Sequence, residues 1–163
     1  MDLQNLLISV DTLSGLNNRT QLLRYLGARL KNNPQEGKLY IFMLDVNKFK
    51  KINDTYGHDM GDKALMLQAR GLKDIFRSSD VVGRLSGDEF GVVALGMKMN
   101  YVENTRLKID MLCKKVSIEN QLPFTLSISL GAVDLQKSSV LKQLLKEADK
   151  ELYREKSKKH ARN

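Results

Sequence analysis

Three carboxylates in this chain sit where a divalent cation could use them. Asp88 and Glu89 fall between two short apolar runs, Val81 to Leu85 and Phe90 to Leu95. With Ser86 and Gly87 they make a segment suited to a tight hairpin turn. Adjacent acids at a turn tip repel each other, and a bound cation removes that cost. Asp45 closes another apolar run, Leu39 to Leu44, so a third carboxylate leaves a strand end where it can meet the hairpin tip. Acids gathered at strand ends and turns are a common way to hold magnesium for phosphate chemistry. Taken singly, each piece reads equally well as an exposed polar turn or a strand-ending acid.

The pieces do not stand singly. The run DVNKFKKINDTYGHDMGD, from Asp45 to Asp62, closely resembles the signature of the GGDEF family of diguanylate cyclases. The motif that names the family stands here as Ser86-Gly87-Asp88-Glu89-Phe90. DTLSGLNNR, from Asp11 to Arg19, resembles the opening motif, and ADKELY, from Ala148 to Tyr153, the closing helix. The resemblance runs from about residue 11 to the C-terminus, with four motifs in order.

That resemblance implies a reaction and a set of roles. Two GTP molecules condense into cyclic di-GMP as a 3′ hydroxyl attacks an α-phosphate and pyrophosphate leaves. Two divalent cations, magnesium or manganese, are implied in each site, held by Asp45, Asp88, Glu89 and the Val46 carbonyl. Catalysis falls to Asp45, Asp88 and Glu89, with Glu89 either a metal ligand or a proton acceptor. Asn53 and Asp62 occupy the guanine-reading positions; a carboxylate accepts from guanine N1–H and N2–H, which favours GTP over ATP. Without the resemblance, Asp62 reads as a helix N-cap. Phosphates are expected on Lys50, on Lys156, and on backbone N–H groups of Asn47, Lys48 and Phe49. A last basic contact is placed at Arg162, with His160 the alternative by simple spacing. Arg77 and Asp80 match the family's product-binding inhibitory pair, and are also spaced as an ordinary helix-end ion pair.

Composition bounds the reading. With 163 residues and 42% hydrophobic content, a single α/β domain (an α+β sandwich) spanning 1–163 is expected. No apolar run approaches the roughly 20 residues of a membrane span, and no signal peptide is visible. One cysteine, Cys113, has no internal disulfide partner, so a cytoplasmic setting without membrane contact is expected. The net charge of +8 includes a stripe on the last helix: Lys142, Lys146, Lys150, Arg154 and Lys158. Glu147, Glu151 and Glu155 interleave with it and no aromatic cluster offers a base platform, so no nucleic-acid partner is expected.

Periodicity supplies the elements. Helices are expected over 18–31, 47–54, 62–76, 100–117 and 141–156, and strands over 38–45, 81–85, 90–95 and 124–133. Interleaved strands and helices imply a helix-covered sheet. The resemblance sharpens this to five strands, like the palm of nucleotide cyclases and polymerases.

Two departures from the family pattern stand out. Ser86 replaces a glycine, costing roughly 1 kcal/mol if positive φ is required there. Asn47 stands where many relatives carry a second Asp. One domain holds one GTP, so a second copy must face it for catalysis. A chain starting almost at the first motif is read as a catalytic domain of a larger regulated protein. The alternative is a catalytically inactive domain that senses cyclic di-GMP through Arg77 and Asp80.

Overall fold

The computed structural model describes residues 10–31, 38–135 and 140–162, with the side chains of the last helix described through residue 159. In order these form α1 (Arg19–Lys31), β1 (Lys38–Val46), α2 (Phe49–Tyr56), α3 (His58–Ile75), β2 (Val81–Ser86), β3 (Glu89–Gly96), α4 (Tyr101–Glu119), β4 (Ile128–Asp134) and α5 (Leu141–Arg162). The strands make one antiparallel sheet in the order β2-β3-β1-β4. β1 is therefore central, which explains its apolar run without polar alternation.

Strand alternation sorts each side chain to one of two cores. Phe42, Leu44 and Val46 of β1 join Phe90 and Val92 of β3 under α3 and α4. Leu39, Ile41 and Met43 face the other way, with Val93 of β3, and pack on Leu22 and Leu26 of α1 and Leu144, Ala148 and Leu152 of α5. Continuing the count, Asp45 and Glu89 belong to the face covered by α1 and α5. The alternation that buries the core thus also delivers the acids to one side.

Gly131 fixes how α5 lies on that face. A Cβ there would fall 2.8 Å from the Ala148 carbonyl oxygen and hard against the Leu152 backbone nitrogen. Helix backbone rests directly on strand backbone, which only glycine allows.

Several expectations are corrected. Among the described residues the sheet has four strands rather than five; at the β2 edge Asn17 makes only an isolated bridge to Gly83. The segment expected to begin a strand at Phe124 joins the ladder only at Ile128, because the Leu126 N–H is taken by the Ser117 hydroxyl at 2.8 Å. α3 starts at His58, after Gly57 at φ 92°, so Asp62 lies within the helix and is not its N-cap. α5 continues past 156 to Arg162. Its five expected basic positions are all exposed, with Arg154 paired to Glu151. Cys113 is buried in α4, and burial pushes its thiol up to about 12. No described helix is long and apolar enough to cross a membrane.

Candidate active site

β1 and β3 pair so that Asp45 stands opposite Glu89, with Ser129 of β4 on its other side. Directly opposed residues share a face and lie close. The β2–β3 hairpin turns through Gly87 and Asp88, with a register shift between Arg84 and Ser86. The Val46 N–H donates to the Asp88 carbonyl at 3.4 Å, drawing the turn against the end of β1. The Asp88 side chain thereby comes within hydrogen-bonding reach of Asp45. The three acids expected to act together therefore share one end of one sheet face.

Their electrostatics are unbalanced. Burial raises the Asp45 carboxyl to about 7, helped by the adjacent Asp88 and opposed by Lys156. Lys156 Nζ donates to Asp45 Oδ2, while the buried Oδ1 has no hydrogen-bond partner. Glu89 is raised as well, first by burial and then by the charges of Asp149 and Asp88. Among the described residues no three acidic, His or Cys side chains converge tightly enough to cage an ion unaided. A pair of carboxylates with one orphan oxygen suits magnesium, which takes one or two carboxylates and completes its shell from phosphates and water.

An arginine missing from the expected set holds the hairpin. Arg84 donates to the Gly87 carbonyl from Nε at 3.1 Å and from its terminal nitrogen at 2.6 Å. It also pairs with Asp11 at 3.2 Å. Asp11 in turn accepts from the Ser14 N–H and hydroxyl at 2.8 and 2.6 Å. The opening motif is thus tied to the turn that carries Asp88. Arg19, the last residue of that motif, contributes a positive charge near Glu89.

Asn53 and Asp62 lie on adjoining helices but not in one cavity. Asn53 packs so closely on Gly61 that a Cβ there would collide with its amide. Asp62 is exposed and lines a cavity of about 320 Å³ with Asp59, Lys63 and Arg70, which Asn53 does not line. Of the expected phosphate contacts, Lys48 and Lys50 are exposed and Phe49 is half-buried at the start of α2. The Asn47 amide is already spent, donating to the Ser127 carbonyl at 2.8 Å. The Asn47 side chain is spent too, since its amide nitrogen reaches Ser127 Oγ and its oxygen accepts from Ser129 Oγ, each at 2.8 Å. An Asp there would lose the donor, so this departure serves the β1–β4 joint. Lys156 sits on Asp45 instead of standing free, and the side chains of His160 and Arg162 lie outside the described residues.

Arg77 and Asp80 do form a pair, at 3.4 Å. Asp80 also accepts the backbone N–H groups of Arg77 at 2.9 Å and Leu95 at 3.3 Å, and Arg77 donates to the Leu95 carbonyl. The pair therefore closes the turn into β2 and borders two cavities, of about 360 and 530 Å³, the larger running along α4.

Ser86 carries no strain, because among the described residues positive φ occurs only at Gly15, Lys48, Gly57 and Gln121. Gly87 is the informative residue of the pair. Its φ is ordinary and nothing lies within 4 Å of where its Cβ would be, so neither conformation nor packing demands glycine. Open space beside a carboxylate pair is room for a ligand to approach backbone. Gly87→Val is expected to melt within about 1 kcal/mol of wild type while binding of a phosphate ligand with magnesium at this turn weakens at least about tenfold. Equal binding by the two proteins would show that no ligand comes close to this turn.

Comparison with known proteins agrees with this geometry. The family described as "Diguanylate cyclase, GGDEF domain" matches residues 8–162. The probable diguanylate cyclase DgcC of Escherichia coli is 38% identical over 124 residues, covering 76% of this chain and 33% of that protein. Diguanylate cyclase DgcS of Shewanella oneidensis is 34% identical over 155 residues, covering 90% of this chain and 49% of its own. The chain thus spans between a third and a half of these relatives. Among solved structures, a truncated TpbB (YfiN) of Pseudomonas aeruginosa comprising only the GGDEF domain superposes with a TM-score of 0.80 at 27% identity, over 91% of this chain and 89% of that one. With the family model matched over residues 8–162 of 163, this chain belongs to the GGDEF-domain family of diguanylate cyclases.

Proposed function

We propose that this chain condenses GTP into cyclic di-GMP, two copies facing each other with one GTP apiece. The observation that carries the reading is the Asp45–Asp88 pair with its orphan Oδ1, set at the strand ends of a GGDEF domain. In each half-reaction a 3′ oxygen forms a bond to an α-phosphorus, the α–β phosphoanhydride breaks, and pyrophosphate departs. Two such events close the ring.

Each residue has a part set by its position. Asp45, Asp88, Glu89 and the Val46 carbonyl would hold two divalent cations, magnesium or manganese, which supply charge neutralisation at the phosphates. Glu89, raised by burial, is suited to take the proton of the attacking hydroxyl. Asn53 and Asp62 read guanine from adjoining helices. The Lys48 and Phe49 amides, in first-turn positions without intrahelical partners, hold phosphate oxygens with Lys50. With a cation on Asp45, Lys156 would be available to the phosphates, and Arg162 is the last basic contact proposed for them. Arg77 and Asp80 bind cyclic di-GMP at the α4 cavity and limit output, using the Arg77 donors and Asp80 acceptor sites that their mutual pairing leaves over.

The test is product analysis after incubating concentrated protein with GTP and magnesium. Cyclic di-GMP is expected from wild type, with at least about a hundredfold less from Asp88→Asn, and no cyclic dinucleotide is expected when ATP replaces GTP. No product from wild type, even with a dimerising tag fused to the N-terminus, would overturn the cyclase reading in favour of a cyclic di-GMP sensor.

A further inference from the structure

A cavity of about 540 Å³ lies between α2 and the segment leading into β4. Its size is that of sites for small organic ligands. Phe49 and Asn53, the α2 residues that meet Gly61 of α3, do not line it. It is therefore separate from the guanine-reading positions, and of its lining the proposed reaction uses only the Lys48 backbone N–H, not that residue's side chain.

The chemistry of its walls is specific. Ile52, 7% exposed, and Phe124 form an apolar floor. The Phe124 ring lies against Tyr56 with centroids 5.3 Å apart, and the Tyr56 hydroxyl donates to the Pro123 carbonyl at 3.2 Å. Two rings held this way present flat apolar surface to whatever enters. Around them stand Lys48, Lys51 and Lys159 against one carboxylate, Asp110. Asp110 is engaged by Lys159 at 3.7 Å, and Lys159 also donates to the Ile128 carbonyl at 2.6 Å. Lys48 and Lys51 are exposed and appear in no ion pair among the described residues. Two uncompensated ammonium groups beside a flat apolar floor select a planar group that carries an anion.

We propose that this cavity is a second small-molecule site, taking a nucleoside monophosphate with its base against Phe124 and its phosphate on Lys48 and Lys51. The proposal stands apart from the cyclase reading, since it needs neither turnover nor a divalent cation. AMP is the probe, because adenine lacks the donor pair that Asp62 would accept. The full chain is titrated with AMP in EDTA and followed by amide NMR. Saturable shifts at Thr55, Thr125 and Ser127 are expected. Lys51→Glu should weaken binding at least about tenfold, and Thr125→Trp, filling an exposed wall position, should abolish it. Asp62→Ala should leave it unchanged. Both wall variants change exposed residues, and their spectra report whether the fold is kept. No saturable shift at millimolar AMP, binding that survives both wall variants, or binding lost in Asp62→Ala would each overturn the proposal.

Discussion

Asp45→Asn is expected to lower cyclic di-GMP output by roughly a thousandfold and to flatten the pH dependence of folding in the same protein. Activity falls because the substitution keeps shape but removes a charge from the pair that must balance phosphate. The stability effect has its own sign. The folded Asp45 carboxyl is raised from 3.8 to about 7, first by burial and then by Asp88. The folded chain therefore holds this proton more tightly than the unfolded chain. Wild-type stability should fall as pH rises from about 4 to about 7 and then level off, by roughly 1–3 kcal/mol in all. Urea melts in EDTA across that range measure it, as wild type minus variant. Magnesium added above pH 7 should recover the loss in wild type alone. A difference that stays constant with pH would show that Asp45 bears no such burden.

Gly131→Ala should cost about 2–3 kcal/mol of stability and about a hundredfold in turnover, although the residue touches no substrate. The added methyl meets the backbone of α5 at Ala148 and Leu152, and backbone does not rotate aside as a side chain would. The helix must lift, and it carries Lys156 one turn beyond Leu152. A misplacement near 1 Å is enough to spoil a positioned charge. Turnover measured well below the melting temperature separates the two effects. A variant that melts early yet turns over normally would confine Gly131 to packing.

What the sequence disclosed and what it hid follow one physical line. Asp45, Asp88 and Glu89 were legible because they flank apolar runs; strand alternation then puts Asp45 and Glu89 on one face, and the hairpin turn brings Asp88 to them. The helices were legible from their apolar stripes, with ends wrong where the signal was weak: His58 starts α3 behind Gly57, and no apolar period marks it. Long-range contacts were not legible. Arg84 stood directly before the hairpin, but its reach to Asp11 and Gly87 depends on the sheet bringing residues 73 apart in sequence together. Gly131 looked like any strand glycine until α5 lay on it. Asn47 looked like a lost charge until its bonds to Ser127 and Ser129 showed what the amide gains. The expected fifth strand came from resemblance, not from any apolar run in the chain.

The ion pair between Asp45 and Lys156 spans 111 residues of sequence. At a ribosome adding about 5–20 residues each second, roughly 6–20 s separate the emergence of the two partners. In the second half of that interval, once Gly96 has emerged, β1 and the hairpin are complete enough to pair, yet the carboxylates they bring together have no lysine to offset them. The nascent sheet is then at its most acidic where it must close, and a proton or a dissolved cation can relieve Asp45 until the lysine arrives. Docking of α5 ends this wait, so a helix made after the whole sheet seals its central strand.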